Sequence, residues 1–132
     1  NGVALSPDGK LLYLAVTRGN CVWRVPLLAD GSVAKVSQFF TSYGPSGPDG
    51  LAVDAKGCVI VANPGLGYVW LLNARAEPVV VLRGPAGAST TNLAFGGKDR
   101  STLYVTDSTH GNILKAQLDA PGLMLHRGRR GV

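Results

Sequence analysis

A five-residue phrase occurs three times in this chain, and its spacing limits what the chain can fold into. The copies are Asn1-Gly2-Val3-Ala4-Leu5, Asp49-Gly50-Leu51-Ala52-Val53 and Thr91-Asn92-Leu93-Ala94-Phe95, beginning at positions 1, 49 and 91. A turn follows each copy (Ser6-Pro7-Asp8-Gly9, Asp54-Ala55-Lys56-Gly57, Gly96-Gly97-Lys98-Asp99), and a second apolar run follows each turn. Repeats of about 40–50 residues built from short strands point to a β-propeller with one repeat per blade. Short apolar runs bounded by Gly, Asp and Pro predict strands over 2–5, 11–17, 21–26 and 33–40 in the first repeat. The same reading gives 50–53, 58–62, 68–73 and 78–83 in the second, and 92–95, 103–106, 112–118 and 123–126 in the third. The predicted fold is therefore all-β: three four-stranded antiparallel blades, at about 1–43, 44–86 and 87–126. Propellers close with about four to eight blades. Three repeats are half a ring, and the chain is expected to be part of a larger protein.

Composition agrees with a packed, strand-rich domain. The chain is 45% hydrophobic and 16% charged, with 18 Gly and 8 Pro among 132 residues. The net charge of +5 owes three positive charges to Arg127, Arg129 and Arg130 near the C-terminus. The remaining Lys and Arg are scattered, whereas a nucleic-acid interface needs a clustered basic face, so no nucleic-acid partner is expected. No run approaches the ~18 apolar residues of a membrane span, so no membrane partner is expected either. Cys21 and Cys58 lack a CxxC spacing and read as buried free thiols rather than zinc ligands. Trp23 and Trp70 hold the same place in successive third strands and are expected to pack between blades.

The first strand of a propeller blade lines the central channel, so the residues that begin it gather around the axis. Asn1 and Asp49 begin it in neighbouring blades. A carboxamide oxygen and a carboxylate suit calcium, magnesium or manganese better than zinc. Asx-Gly is also an ordinary turn pair, and on spacing alone both readings stand. Thr91 and Asn92 occupy the same place in the third blade, either lining the channel or simply starting a strand. Tyr43 and Asn63 lie near loop ends on the same presumed face. The Gly-Pro-rich connections at 41–48 and 84–90 lead to the axis, where scaffold-borne loops carry sites. Nucleophile-elbow and phosphate-loop motifs are absent. His110 sits in a turn and His126 in the tail, without an evident nucleophile and carboxylate. Glu77, the one Glu, belongs to an outer turn, and Ser6–Gly9 reads as a hairpin turn.

The order Asn-Gly-x-Ala-x-Ser-Pro-Asp-Gly-Lys-x-Leu-Tyr, Gly-Pro-Asp-Gly-Leu-Ala-Val-Asp-x-x-Gly and Thr-Asn-Leu-Ala-Phe-Gly-Gly-x-Asp-x-x-Thr-Leu-Tyr-Val-Thr resembles the C-terminal half of the SMP-30/gluconolactonase family of regucalcin-like lactonases. The resemblance runs from residue 1 to about 118. It implies a six-bladed propeller with one axial divalent cation, calcium first and zinc, magnesium or manganese as alternatives. In that family a Glu, an Asn and an Asp hold the ion; Asn1 matches the Asn, and Asp49 matches the Asp of Gly47-Pro48-Asp49-Gly50. The implied activity is hydrolysis of a sugar lactone or similar cyclic ester, with Asp49 as metal ligand and general base. If Thr91 and Asn92 line the channel rather than simply start a strand, they are the residues that would meet the substrate. The Glu-bearing blade lies outside this sequence, so the chain alone is expected to bind calcium poorly and to turn over little lactone. Open blade edges suggest self-association. A propeller used as a non-catalytic binding module is the alternative function, because this fold hosts many.

Overall fold

The computed structural model describes residues 1–124. Eleven strands run in chain order: β1 (Val3–Leu5), β2 (Leu11–Val16), β3 (Cys21–Pro26), β4 (Ser37–Thr41), β5 (Leu51–Val53), β6 (Val59–Asn63), β7 (Tyr68–Leu72), β8 (Pro78–Arg83), β9 (Thr90–Gly96), β10 (Thr102–Asp107) and β11 (Asn112–Gln117). They form three antiparallel meanders, β1-β2-β3-β4, β5-β6-β7-β8 and β9-β10-β11. Each meander is one blade, and its first strand begins at one of the repeated phrases.

Alternation along β6 explains how the blades stack. Successive side chains of a strand point to opposite faces. Val59 and Val61 meet Tyr13, Ala15 and Val22 of the first blade in one apolar cluster. Ile60 and Ala62 meet Leu93, Leu103 and Val105 of the third blade in another. Both faces of the middle blade are thus buried, and its second strand reads as an unbroken apolar run. The hairpin turns use local oxygen acceptors. Asp54 Oδ1 accepts the backbone N–H groups of Lys56 and Cys58, each at 2.9 Å. The Ser6–Gly9 segment closes with Gly9 N–H on Ser6 O at 2.9 Å, the expected hairpin turn rather than an ion loop. Cys21 is buried and Cys58 half-buried, and both are free thiols.

Three expectations shift. The outer strand of the first blade occupies Ser37–Thr41 rather than 33–40, and Val33 instead makes an isolated bridge to Leu27. In the third blade no fourth strand follows β11 among the described residues. The segment after it returns to the second blade: Gly122 bridges Asp54, and Leu123 N–H reaches Val53 O at 3.2 Å. Gly122 permits this approach because a Cβ there would lie 2.2 Å from Phe95 Cγ. The rest of the segment predicted at 123–126, His126 included, lies outside the described residues. Third, the two tryptophans diverge. Trp70 packs between blades, its ring 5.7 Å from Phe40. Trp23 is 43% exposed, because it lies on the side of β3 opposite Val22, facing away from the second blade.

Candidate functional site

Inner strands approach one another most closely where they begin, and the glycines of the repeated phrase are what allow it. Gly2 N–H donates to Asp49 O, and Gly50 N–H to Thr91 O, both at 2.9 Å. A Cβ on Gly2 would lie 2.3 Å from Asp49 O, and one on Gly50 would lie 2.4 Å from Asn92 Oδ1. Both glycines are therefore required by blade-to-blade contact. The Asx-Gly pairs begin strands at the axis rather than close turns.

The residue before each glycine borders a shared recess of about 520 Å³, within the range of small-molecule sites. Asn1, Asp49, Thr91 and Asn92 all line it. The structure thus brings together the four residues singled out on sequence grounds. It does not bring in the two further candidates. Tyr43 is 80% exposed and away from the recess. Asn63 is fully buried, and its side-chain oxygen and nitrogen have no partner among the described residues.

Hydrogen bonding gives the four polar side chains different chemistry. The Thr17 hydroxyl donates to Pro48 O at 2.8 Å, so toward Asn1 it can only accept. Asn1 Nδ2 supplies that bond at 3.3 Å, which leaves Asn1 Oδ1 as an acceptor without a donor among the described residues. Asn92 is turned the other way round. Its Oδ1 accepts Leu93 N–H at 2.8 Å, which leaves Nδ2 as a donor without an acceptor among the described residues. The Asp49 carboxylate makes no hydrogen bond among the described residues, and desolvation raises its pKa above the usual aspartate value, against a smaller pull from the N-terminal ammonium. Thr91 Oγ1 lies 2.8 Å from Thr106 Oγ1.

Asn1 Oδ1 and the Asp49 carboxylate fit part of the oxygen shell of a hard divalent cation, which takes about six to eight oxygens in the case of calcium. Among the described residues no group of three or more His, Cys, Asp and Glu side chains gathers anywhere, so the Asp49 carboxylate and the single amide oxygen of Asn1 are what the recess would offer such an ion. His110 lies elsewhere: its Nδ1 is 2.6 Å from the buried Asp107 Oδ2. Glu77 bonds Asn73 within its outer turn. Sequence reasoning missed Thr17 and Thr106, the hydroxyls that orient Asn1 and fasten Asn92. The available signal was a threonine closing or directly following the second apolar run of the first and third repeats.

The family described as SMP-30/Gluconolactonase/LRE-like region matches residues 1–120. The chain is 32% identical over 123 residues to a 6-deoxy-6-sulfogluconolactonase of Pseudomonas putida, covering 92% of this chain and 42% of that protein. It is 37% identical over 84 residues to the lactonase drp35 of Staphylococcus saprophyticus, covering 60% of this chain and 25% of that protein. Among solved structures, the calcium-binding protein regucalcin of Agrobacterium tumefaciens superimposes with a TM-score of 0.81 at 29% identity, over 94% of this chain and 47% of that one. The chain therefore spans less than half the length of these relatives. Three meanders around a shared axial recess, together with the match over residues 1–120, place the chain in the SMP-30/gluconolactonase/LRE-like family.

Proposed function

We propose that the protein to which this chain belongs hydrolyses a sugar lactone or similar cyclic ester in the axial recess, with a divalent cation, calcium first, held in part by Asn1 and Asp49. One observation carries the reading: the Asp49 carboxylate, without a hydrogen-bond partner among the described residues, lines the same recess as the Oδ1 of Asn1. With neither oxygen committed to a partner among the described residues, both are available to a cation or a polar substrate. The names of the relatives, a sulfogluconolactonase and a lactonase, support the substrate class, and a calcium-binding relative supports the cation.

A bound cation would act as a Lewis acid toward the ester carbonyl. The chain's own residues do the rest. Asp49 accepts a proton from a water molecule whose oxygen adds to the carbonyl carbon. The ring C–O bond then breaks, and the proton passes from Asp49 to the departing ring oxygen, giving a hydroxy acid. Thr91 and Asn92 form the wall against which the substrate lies.

The test is hydrolysis of gluconolactone by the full-length gene product, with calcium and then with chelator, beside the Asp49→Ala variant. The expected result is metal-dependent activity that falls by about 100-fold or more in the variant. No rate above spontaneous hydrolysis, over several lactones and divalent ions, would favour a non-catalytic binding disc.

A further inference from the structure

Two amides face one recess with opposite polarity, and that difference assigns them different partners. We propose that Asn92 is a substrate-binding donor rather than a cation ligand: its Nδ2 hydrogen-bonds the carbonyl oxygen of a cyclic ester and the negative charge that gathers there as water adds. The proposal rests on the lactone reading above and specifies which atom of the chain meets which atom of the substrate.

The argument begins with Leu93. Its backbone N–H can only donate, so the side-chain atom of Asn92 at 2.8 Å must be the oxygen. The nitrogen is then left with two N–H groups and no acceptor among the described residues, on a residue that lines the recess. A cation would be repelled by that end of the amide, whereas an oxygen carrying partial negative charge would be attracted. Asn1 lies across the same recess in the reverse orientation, with Thr17 holding its nitrogen. The recess therefore has an acceptor side, Asn1 and Asp49, and a donor side, Asn92.

Asn92 is also held firmly enough for the role. Strand β9 shifts register against β10 beside Thr106, and the Thr106 hydroxyl spans the irregularity. It accepts Asn92 N–H at 2.9 Å and bonds Asn92 O at 3.2 Å. On the other side, Asn92 Oδ1 and Cα lie against Gly50, where a Cβ would come within 2.4 and 2.8 Å of them. A donor fixed before substrate arrives needs no reorganisation as charge develops. Thr106 is the positioning residue, acting through Asn92.

The experiment compares Asn92→Ala, Asn92→Asp and Thr106→Val in the full-length gene product, with gluconolactone hydrolysis, calcium titration by calorimetry, and binding of the non-hydrolysable glucono-lactam measured on each. Circular dichroism first confirms that each variant is folded, and Thr106→Val carries the test if Asn92 variants are not. Removal of one such donor is expected to lower kcat/KM by about 100-fold and to weaken lactam binding, with calcium affinity changing less than about two-fold. Asn92→Asp, which replaces the donor by an acceptor, is expected to lose as much activity as Asn92→Ala or more. Calcium affinity that falls about ten-fold in Asn92→Ala, or rises in Asn92→Asp with activity retained, would overturn the proposal and make Asn92 a ligand. Unchanged kinetics and lactam binding would overturn it too. If the wild type hydrolyses no lactone yet binds the lactam through Asn92, the hydrolytic reading fails and this one stands. If the wild type does neither, both fail.

Discussion

At the scale of single residues, the glycines that follow Asn1 and Asp49 explain more about the site than the polar residues do. Gly50 N–H donates to Thr91 O at 2.9 Å, and its missing side chain leaves the space that Asn92 Oδ1 and Cα occupy. Alanine at position 50 would place a carbon 2.4 Å from that oxygen, so either Asn92 turns away or the two inner strands separate. Gly50→Ala is therefore expected to lower stability by about 1–3 kcal/mol, as overpacking of a tight contact does. A lower urea midpoint at unchanged m-value would record it. The same variant should weaken substrate binding through displacement of Asn92. Gly9 is the contrasting case, because a Cβ there meets nothing within 4 Å, so its glycine answers to its positive φ of 68° and not to a neighbour. The sequence shows both residues as Gly after an Asx; only the closeness of a second blade separates their roles.

At the scale of elements, the turn between β10 and β11 is held by one buried carboxylate. Asp107 Oδ1 accepts the N–H groups of Ser89 at 3.0 Å and Thr109 at 3.1 Å, and Oδ2 meets His110 Nδ1 at 2.6 Å. The Ser89 bond first, then the His110 side chain, hold the Asp107 carboxyl below the usual aspartate pKa, against opposing desolvation. A carboxyl depressed in the folded state adds stability above its unfolded pKa of about 3.9 and loses it as pH falls through the folded value. The wild type should accordingly melt above Asp107→Asn at pH 6, and the difference should shrink as the pH is lowered below about 4. A constant difference across that range would mean that geometry rather than charge holds the turn. Elements of this kind were partly legible in the sequence. The strands with two buried faces, such as β6, stood out as apolar runs, and so did the residues that begin the inner strands, because both follow from period and repeat. The Thr17 and Thr106 hydroxyls were not legible, since their partners lie across strand pairs or in the next blade. The return of Gly122 to Asp54 was hidden for the same reason: it depends on the space beside Phe95, which no local pattern encodes.

At the scale of the whole molecule, the stack of three blades has two unlike ends. The outward face of the first blade is apolar, with Val3, Leu5 and Trp23 at 55%, 45% and 43% exposure. Cross-strand pairing aligns them with Leu14 and Leu12 on the same face. The outward face of the third blade carries Ile113 and Tyr104 among the polar Thr106 and Lys115, paired across β10 and β11. Within the chain both junctions share one relation: the third-strand face bearing Trp70 lies on the first blade, and the third-strand face bearing Leu114 lies on the second. Applied once more, the same relation sets the Trp23 face of one copy on the Ile113 face of another. If three blades turn through half of a closed propeller ring, two such contacts would close a ring of two copies by a rotation of 180°. Burying a large apolar side chain is worth about 1.5–3 kcal/mol, and each contact would cover several. The 132-residue chain alone is thus expected to associate head to tail, with light scattering giving twice its 13.7 kDa mass. Trp23→Lys and Ile113→Lys should each return it to monomer, because the contact needs both faces. Loss of the dimer with Trp23→Lys but not Ile113→Lys would mean that the apolar faces of two first blades meet each other instead. A single monomer mass for the unmodified chain would show that the exposed face of the first blade does not drive association by itself.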